Sequence, residues 1–171
     1  MSVISKTKNI ALLGIMLAVI TTLTALEHMT PPIPLLPPGV KIGLSNIVTM
    51  YCVFFMGKAQ AITLTALKSL FVFLTRGLVA GALSFAGGML SIAVIILLLF
   101  LFNERISYAT ISITGAITHN IGQLVIYSLI MNTFLVFSFY TPILIVSGVV
   151  MGIVTGTLLR LLLPFMRKIL R

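Results

Sequence analysis

Apolar runs of near membrane-spanning length, separated by short polar or basic breaks, fill this chain from end to end. The pattern predicts six helices, roughly Ile10–Leu26, Ile42–Met56, Ala59–Thr75, Leu83–Phe102, Ala109–Met131 and Tyr140–Leu163. A helix crossing a bilayer needs about 20 mainly apolar residues. The fourth, fifth and sixth runs meet that length comfortably. The second and third are shorter and are joined only by Gly57 and Lys58, which predicts a tight helical hairpin. The one long connection, His28 to Lys41 (HMTPPIPLLPPGVK), holds five prolines in fourteen residues. Proline at that density forbids a regular helix and stiffens the backbone, so residues 28–41 are expected to cap the membrane surface. The first run follows Lys6 and Lys8 as a signal peptide's would, but it ends in TALEHMTPP without a small-x-small cleavage site. It therefore reads as a retained first span.

Composition turns the helix pattern into a class. The chain has 171 residues, 60% hydrophobic and 8% charged, with a mean hydropathy of +1.25. A soluble domain needs far more polar surface. The expectation is an all-α integral membrane protein, one transmembrane domain over residues 1–171. The net charge of +9 does not indicate nucleic-acid binding, because the basic residues punctuate apolar runs and form no polar face interleaved with aromatics. They carry orientation instead. With the N-terminus inside, Lys6, Lys8, Lys58, Arg105, Arg167, Lys168 and Arg171 fall in cytoplasmic segments, and only Lys41 and Arg76 fall outside. That bias predicts both termini in the cytoplasm and the proline-rich loop outside. No internal repeat is apparent, which argues against an inverted-repeat carrier.

Polar residues inside the apolar runs are the candidates for function. Lys68 lies within AITLTALKSLFVFLT, where a lysine near mid-membrane costs about 2.5–3.5 kcal/mol to insert. Such a charge needs a cavity, a partner or a substrate. Asp is absent, and the two acids, Glu27 and Glu104, sit near helix ends, so an external anion reads as the better partner. Arg76 lies about two turns further on and is either an interfacial anchor or a second cation for the same anion. At the start of the second run, Lys41, Gly43, Ser45 and Asn46 gather at a helix N-terminus, whose free N–H groups favour an anion; the alternative is an ordinary helix start with a snorkelling lysine. In the fifth run, His119 and Gln123 share a helix face, with Asn120 beside them. They are either a binding site or interhelical hydrogen bonds worth about 0.6 kcal/mol each. The glycines of GLVAGALSFAGGMLS suggest a broken or re-entrant helix lining a cavity. Two His in different segments and a single Cys, Cys52, argue against a metal site and exclude an intrachain disulfide. The sequence calls for no cofactor.

Small residues form two further patterns. Gly148, Gly152 and Gly156 make a double Gly-x-x-x-Gly in the last run, expected to pack within the bundle. Gly14-x-x-x-Ala18, with Ala11, Thr22 and Ala25, puts a small face on the first helix, either for packing inside the protein or for docking to another membrane subunit.

The strings LEHMTPPIPLLPPGVKIGLSNIV, SFAGGMLS and GAITHNIGQ resemble the Gx transporter family, whose members are often labelled heptaprenyl diphosphate synthase component I. The resemblance covers nearly the whole chain. Its size and layout are also similar to the S components of energy-coupling factor vitamin transporters. That likeness implies an S-component-like bundle in which small residues of the first helix meet a transmembrane coupling subunit. It also implies that the loop after that helix caps an outward-facing substrate site. Gly14-x-x-x-Ala18 stands where such proteins often show Ala-x-x-x-Ala. By this resemblance the localisation is the bacterial cytoplasmic membrane.

Chemistry tests the synthase label. Prenyl-chain elongation holds magnesium and diphosphate on aspartate-rich motifs, and this chain has no Asp. It is expected not to be an enzyme. The expected function is a substrate-binding subunit for an anionic or amphiphilic small molecule. Lys41, Lys68 and Arg76 would offset its charge; Asn46, His119, Asn120 and Gln123 would orient it; Gly14 and Ala18 would dock a coupling subunit. A GxxxxGK[ST] loop is missing, so ATP-driven steps would need separate ATPases. The alternatives are a non-catalytic membrane partner of a prenyl diphosphate synthase, and a scaffold whose polar residues only join helices.

Overall fold

The structure is a computed structural model that describes residues 3–29, 43–102 and 106–170. Six helices follow in order: α1 (Val3–Met29), α2 (Leu44–Phe55), α3 (Lys58–Arg76), α4 (Leu78–Phe102), α5 (Tyr108–Ile130) and α6 (Phe134–Leu170). Stretches of α1, α4, α5 and α6 are long and apolar enough to cross a membrane. The α2 helix has only 12 residues, and α3 is diluted by Gln60, Lys68 and Arg76.

Local chemistry sets the helix ends. Gly43, at φ +81°, supplies the left-handed turn into α2. Gly77, at φ +87°, is the whole link between α3 and α4, and its N–H closes α3 on the Phe73 carbonyl at 2.9 Å. Ser107 opens α5 by accepting the Thr110 N–H at 3.1 Å, an N-cap that replaces a missing intrahelical partner. Many hydroxyls inside the apolar helices fold back on their own backbone. Thr24 donates to the Ile20 carbonyl at 2.7 Å and Ser69 to the Thr65 carbonyl at 2.8 Å. A polar group that bonds within its own helix makes no demand on lipid.

The α2–α3 hairpin is as expected, turning at Met56–Gly57. Helices α3 through α6 pack consecutively, and α1 lies on α2 and α3. The short α2 is the pivot: it touches α1, α3, α4 and α6, and Ile47 through Val53 are all buried. Around its second half sit Met16, Ile20, Leu64, Ile92, Ile111 and Leu159, the apolar core. The other end of α2, from Gly43 to Asn46, borders an open volume instead.

Three boundary expectations are corrected. The glycine-rich stretch after Arg76 is not a broken or re-entrant helix: α4 runs unbroken from Leu78, five residues before the expected start at Leu83. Its glycines serve close approach. A Cβ on Gly81 would lie 2.6 Å from Phe73 Cβ, and one on Gly88 would lie 2.4 Å from Thr65 Cγ2, so α3 and α4 meet at contact distance. The first helix extends through His28 to Met29, beyond the expected end at Leu26. The last begins at Phe134 and includes Pro142 and Pro164. The rest of the proline-rich segment, with Lys41, lies outside the described residues.

The two small-residue patterns part company. Gly148 and Gly152 pack on α5, where added Cβ atoms would meet the Ile117 and Ile113 backbones at 3.0 and 2.4 Å. That is the expected intramolecular use. On α1, by contrast, Ala11, Gly14, Ala18 and Thr22 are exposed, and a Cβ on Gly14 would meet nothing within 4 Å. Packing of that face within the described bundle is therefore not observed.

Candidate functional site

A cavity of about 350 Å³ opens between the Gly43 end of α2 and helices α1, α3, α4, α5 and α6. Its size suits a small organic molecule. Asn46, Lys68, Arg76, His119, Asn120 and Gln123 all line it. These are all the expected substrate-binding residues among those described, and they come from α2, α3 and α5. Lys41 lies outside the described residues.

The lysine sits where α3 faces inward, 7% exposed. Its Nζ donates to Asn46 Oδ1 at 2.9 Å, tying α3 to the first turn of α2. Because the Asn46 oxygen is spent on Lys68, the amide nitrogen remains a donor at the cavity. About two turns along α3, Arg76 is exposed and lines the same cavity at its mouth.

Glu27, only 6% exposed, lines the same cavity as Lys68. Sequence reasoning placed Glu27 at the far end of its helix. The fold brings that end beside the start of α2. There Glu27 Oε1 accepts the Leu44 N–H, and Oε2 accepts the Ser45 hydroxyl at 3.1 Å. The anion expected at the α2 N-terminus is thus supplied at least in part from within the chain. The positive end of the helix dipole stabilises it there. The available signal was that the sequence holds only two acids and no Asp, and the distance of Glu27 from Lys68 in sequence obscured it.

On α5, His119 and Gln123 are joined through their Nε2 atoms at 3.2 Å. The His119 Nδ1 is buried with no well-aligned hydrogen-bond partner among the described residues, although the Gly87 backbone also bears on the ring. A ligand acceptor or donor placed there would satisfy it. Asn120 is different. Its amide donates to the Leu144 carbonyl at 3.1 Å and to Ser147 Oγ at 3.4 Å, so that nitrogen holds α5 to α6. The interhelical alternative is realised for this residue. At another part of the cavity wall, Ser112 and Thr155 bond each other at 2.7 Å. Their hydroxyls, with His28 and Tyr127, were not anticipated: serine and threonine in membrane helices usually serve their own backbone, and nothing in the sequence sets these apart.

Apolar surface completes the walls, chiefly Met50, Val72, Leu124, Leu144 and Met151. The cavity therefore presents a cationic and hydrogen-bonding group of residues against an apolar lining. Among the described residues, no three His, Cys, Asp or Glu side chains converge as metal ligands.

No curated protein matches this sequence. Among solved structures, the chain is similar to one described as "Structure and mechanism of the S component of a bacterial ECF transporter". The TM-score is 0.74 at 20% identity, covering 97% of this chain and 99% of that one. The likeness shows the S-component fold, and with the four apolar helices it makes this a multi-pass membrane protein. A family model described as heptaprenyl diphosphate synthase component I matches residues 15–162, and the chain belongs to that family.

Proposed function

We propose that this protein is the membrane-embedded substrate-binding subunit of an energy-coupling factor type uptake transporter, and that it binds an anionic or amphiphilic small molecule. The observation that carries the reading is the cavity: Asn46, Lys68, Arg76, His119 and Gln123 converge on about 350 Å³ of space within an S-component fold. A scaffold needs no such volume. The synthase named in the family's description stays a second reading, in which this chain is a non-catalytic partner; the absence of Asp from the sequence argues against catalysis by the chain itself.

Affinity purification from native membranes separates the readings. A transmembrane coupling subunit and ATPases should accompany the protein, and purified alone it should not elongate allylic diphosphates with isopentenyl diphosphate and magnesium. Recovery of a soluble prenyl synthase in place of the ATPases would reverse the order of the two readings.

The exposed small face of α1 supports docking. Gly14 and Ala18 stand on a surface that the described bundle leaves uncovered, and small residues let helix backbones approach closely. Gly14→Leu should therefore leave thermal stability unchanged, because its side chain enters open space, yet abolish recovery of the coupling subunit. Full recovery with the leucine variant would remove this face from the interface.

Six membrane crossings with both termini in the cytoplasm fit the distribution of basic residues. A cysteine placed within residues 30–40 should then react with an impermeant thiol reagent in intact cells. Reaction only after lysis would invert the orientation.

A further inference from the structure

We propose that the deep end of the cavity is a subsite for a hydrogen-bond donor, a hydroxyl or N–H carried by the ligand remote from its charged group, and that Ser112 Oγ accepts it. The inference rests on the reading of the cavity as a substrate site and adds a second point of recognition to it. Contacts between helices fix where this end lies. Ser69 on α3, next to Lys68, bonds Ser84 on α4 at 3.4 Å. One turn along α4, a Cβ on Gly87 would meet the His119 carbonyl oxygen at 2.7 Å. Lys68 and His119 therefore lie near one level of the bundle. Gly115 faces Ile95, further along α4 and further from the α3–α4 turn beside Arg76. Ser112 lies beyond it, about two turns or roughly 10 Å along α5 from His119. Gly115, Ala116 and Met151 line the cavity between these levels.

The hydrogens of the Ser112–Thr155 pair decide what this end accepts. Each hydroxyl has one hydrogen and two lone pairs. Thr155 Oγ1 donates to the Met151 carbonyl at 2.9 Å, with the Gly152 carbonyl at 3.3 Å. The 2.7 Å contact between the two hydroxyls is then donated by Ser112. The reverse assignment leaves the Ser112 hydrogen without an acceptor among the described residues, in a side chain only 1% exposed, and an unsatisfied buried donor is costly. With its hydrogen committed, Ser112 Oγ offers the cavity only lone pairs. A bond that merely tied α5 to α6 would need no open space, yet both hydroxyls line the cavity. The subsite therefore takes a donor and rejects an ether or carbonyl oxygen, and Thr155 is its positioning residue.

The test measures thermal unfolding of the protein in lipid nanodiscs at neutral pH, where ligand-induced stabilisation reads relative affinity. Probes are alkanoates of graded chain length, each made with a terminal methyl, hydroxyl or methoxy group. At the best length the hydroxyl member should bind wild type about fivefold more tightly than the other two, the worth of one net hydrogen bond. Ser112→Ala should erase that gap by weakening the hydroxyl member alone; partition into lipid is the same for both proteins and cancels. Thr155→Val removes the acceptor of the Ser112 hydrogen and frees it for the cavity. The methoxy member should then gain, narrowing the gap from the other side, which also covers the case of a Ser112→Ala chain that does not fold.

Equal binding of hydroxyl and methoxy members by the wild type at every length, with Lys68→Met still weakening both, would overturn the subsite and leave the substrate cavity standing. A gap that survives Ser112→Ala would overturn the assignment to Ser112, and one unchanged by Thr155→Val would overturn the direction of its hydrogen. Stabilisation by none of the probes would instead overturn the reading of the cavity as a site for anionic amphiphiles, and this inference with it.

Discussion

Replacing Lys68 with methionine should lower affinity for an anionic ligand by at least tenfold while leaving the fold close to its original stability. The ammonium is the buried cation of the cavity, 7% exposed, and truncating one partner of a desolvated charge pair costs about 2–5 kcal/mol of binding. Three effects on the fold have to be compared. On the proposed six-span arrangement, removing this lysine relieves about 2.5–3.5 kcal/mol of insertion cost. Losing its bond to Asn46 forfeits an interhelical hydrogen bond, about 0.6 kcal/mol on average. Glu27 loses a neighbouring positive charge but keeps its donors from Leu44 and Ser45. The relief is the largest of the three, so stability should hold or rise slightly. Thermal unfolding measured beside ligand titration reads both quantities. A variant that melts well below the wild type while its folded fraction binds with unchanged affinity would make Lys68 a structural partner of Glu27. In that case Glu27→Gln combined with Lys68→Met should recover stability, since coupled charges are non-additive. His119→Leu should weaken binding less than Lys68→Met, because a neutral hydrogen bond contributes less than a charge pair.

The same residues mark where sequence reading succeeds and where it stops. Lys68, His119 and Gln123 stand out because a polar side chain in an apolar run needs a reason, and the structure places them around one cavity. Helix number and class were legible for the same cause: the lipid requirement writes apolar runs directly into the chain. Glu27 was visible as a residue but not as a neighbour of Lys68. Its position depends on how the first helix ends and where the second begins, and neither boundary is written in the pattern of apolar positions. The glycines of α4 failed differently. Glycine within a helix signals either a break or a close approach, and only the neighbouring helix decides which. Phe73 and Thr65 on α3 occupy the space that side chains at 81 and 88 would need. On α1 the outcome at Gly14 was the reverse: small residues suited to packing inside the bundle are exposed.

Single methyl groups at Gly122 and Gly152 should each damage the fold, and they should differ in what else they damage. A Cβ on Gly152 would lie 2.4 Å from Ile113 Cα and 2.9 Å from Ile113 N. One on Gly122 would lie 2.9 Å from both the Ala86 carbonyl oxygen and Gly87 Cα. In each case the obstacle is backbone of a neighbouring helix, which cannot rotate aside as a side chain can. The helices must separate, and interiors packed at contact distance lose about 1–3 kcal/mol, occasionally more, when overfilled in this way. At about 2–4 °C per kcal/mol for a chain of this length, Gly122→Ala and Gly152→Ala should each lower the unfolding temperature by several degrees. Gly14→Ala, with nothing within 4 Å of the new methyl, should leave it unchanged. Binding separates the two damaging variants. Gly122 holds α4 against α5 next to His119 and Gln123, and Gly87 opposite them packs on the His119 carbonyl and the Gln123 side chain. Pushing those helices apart moves the hydrogen-bonding wall of the cavity, so Gly122→Ala should weaken ligand binding as well. Gly152 faces Ile113, which does not line the cavity, so its alanine variant should lose stability with much less effect on affinity. Equal unfolding temperatures for Gly152→Ala and the wild type would show that α5 and α6 do not approach as closely as described.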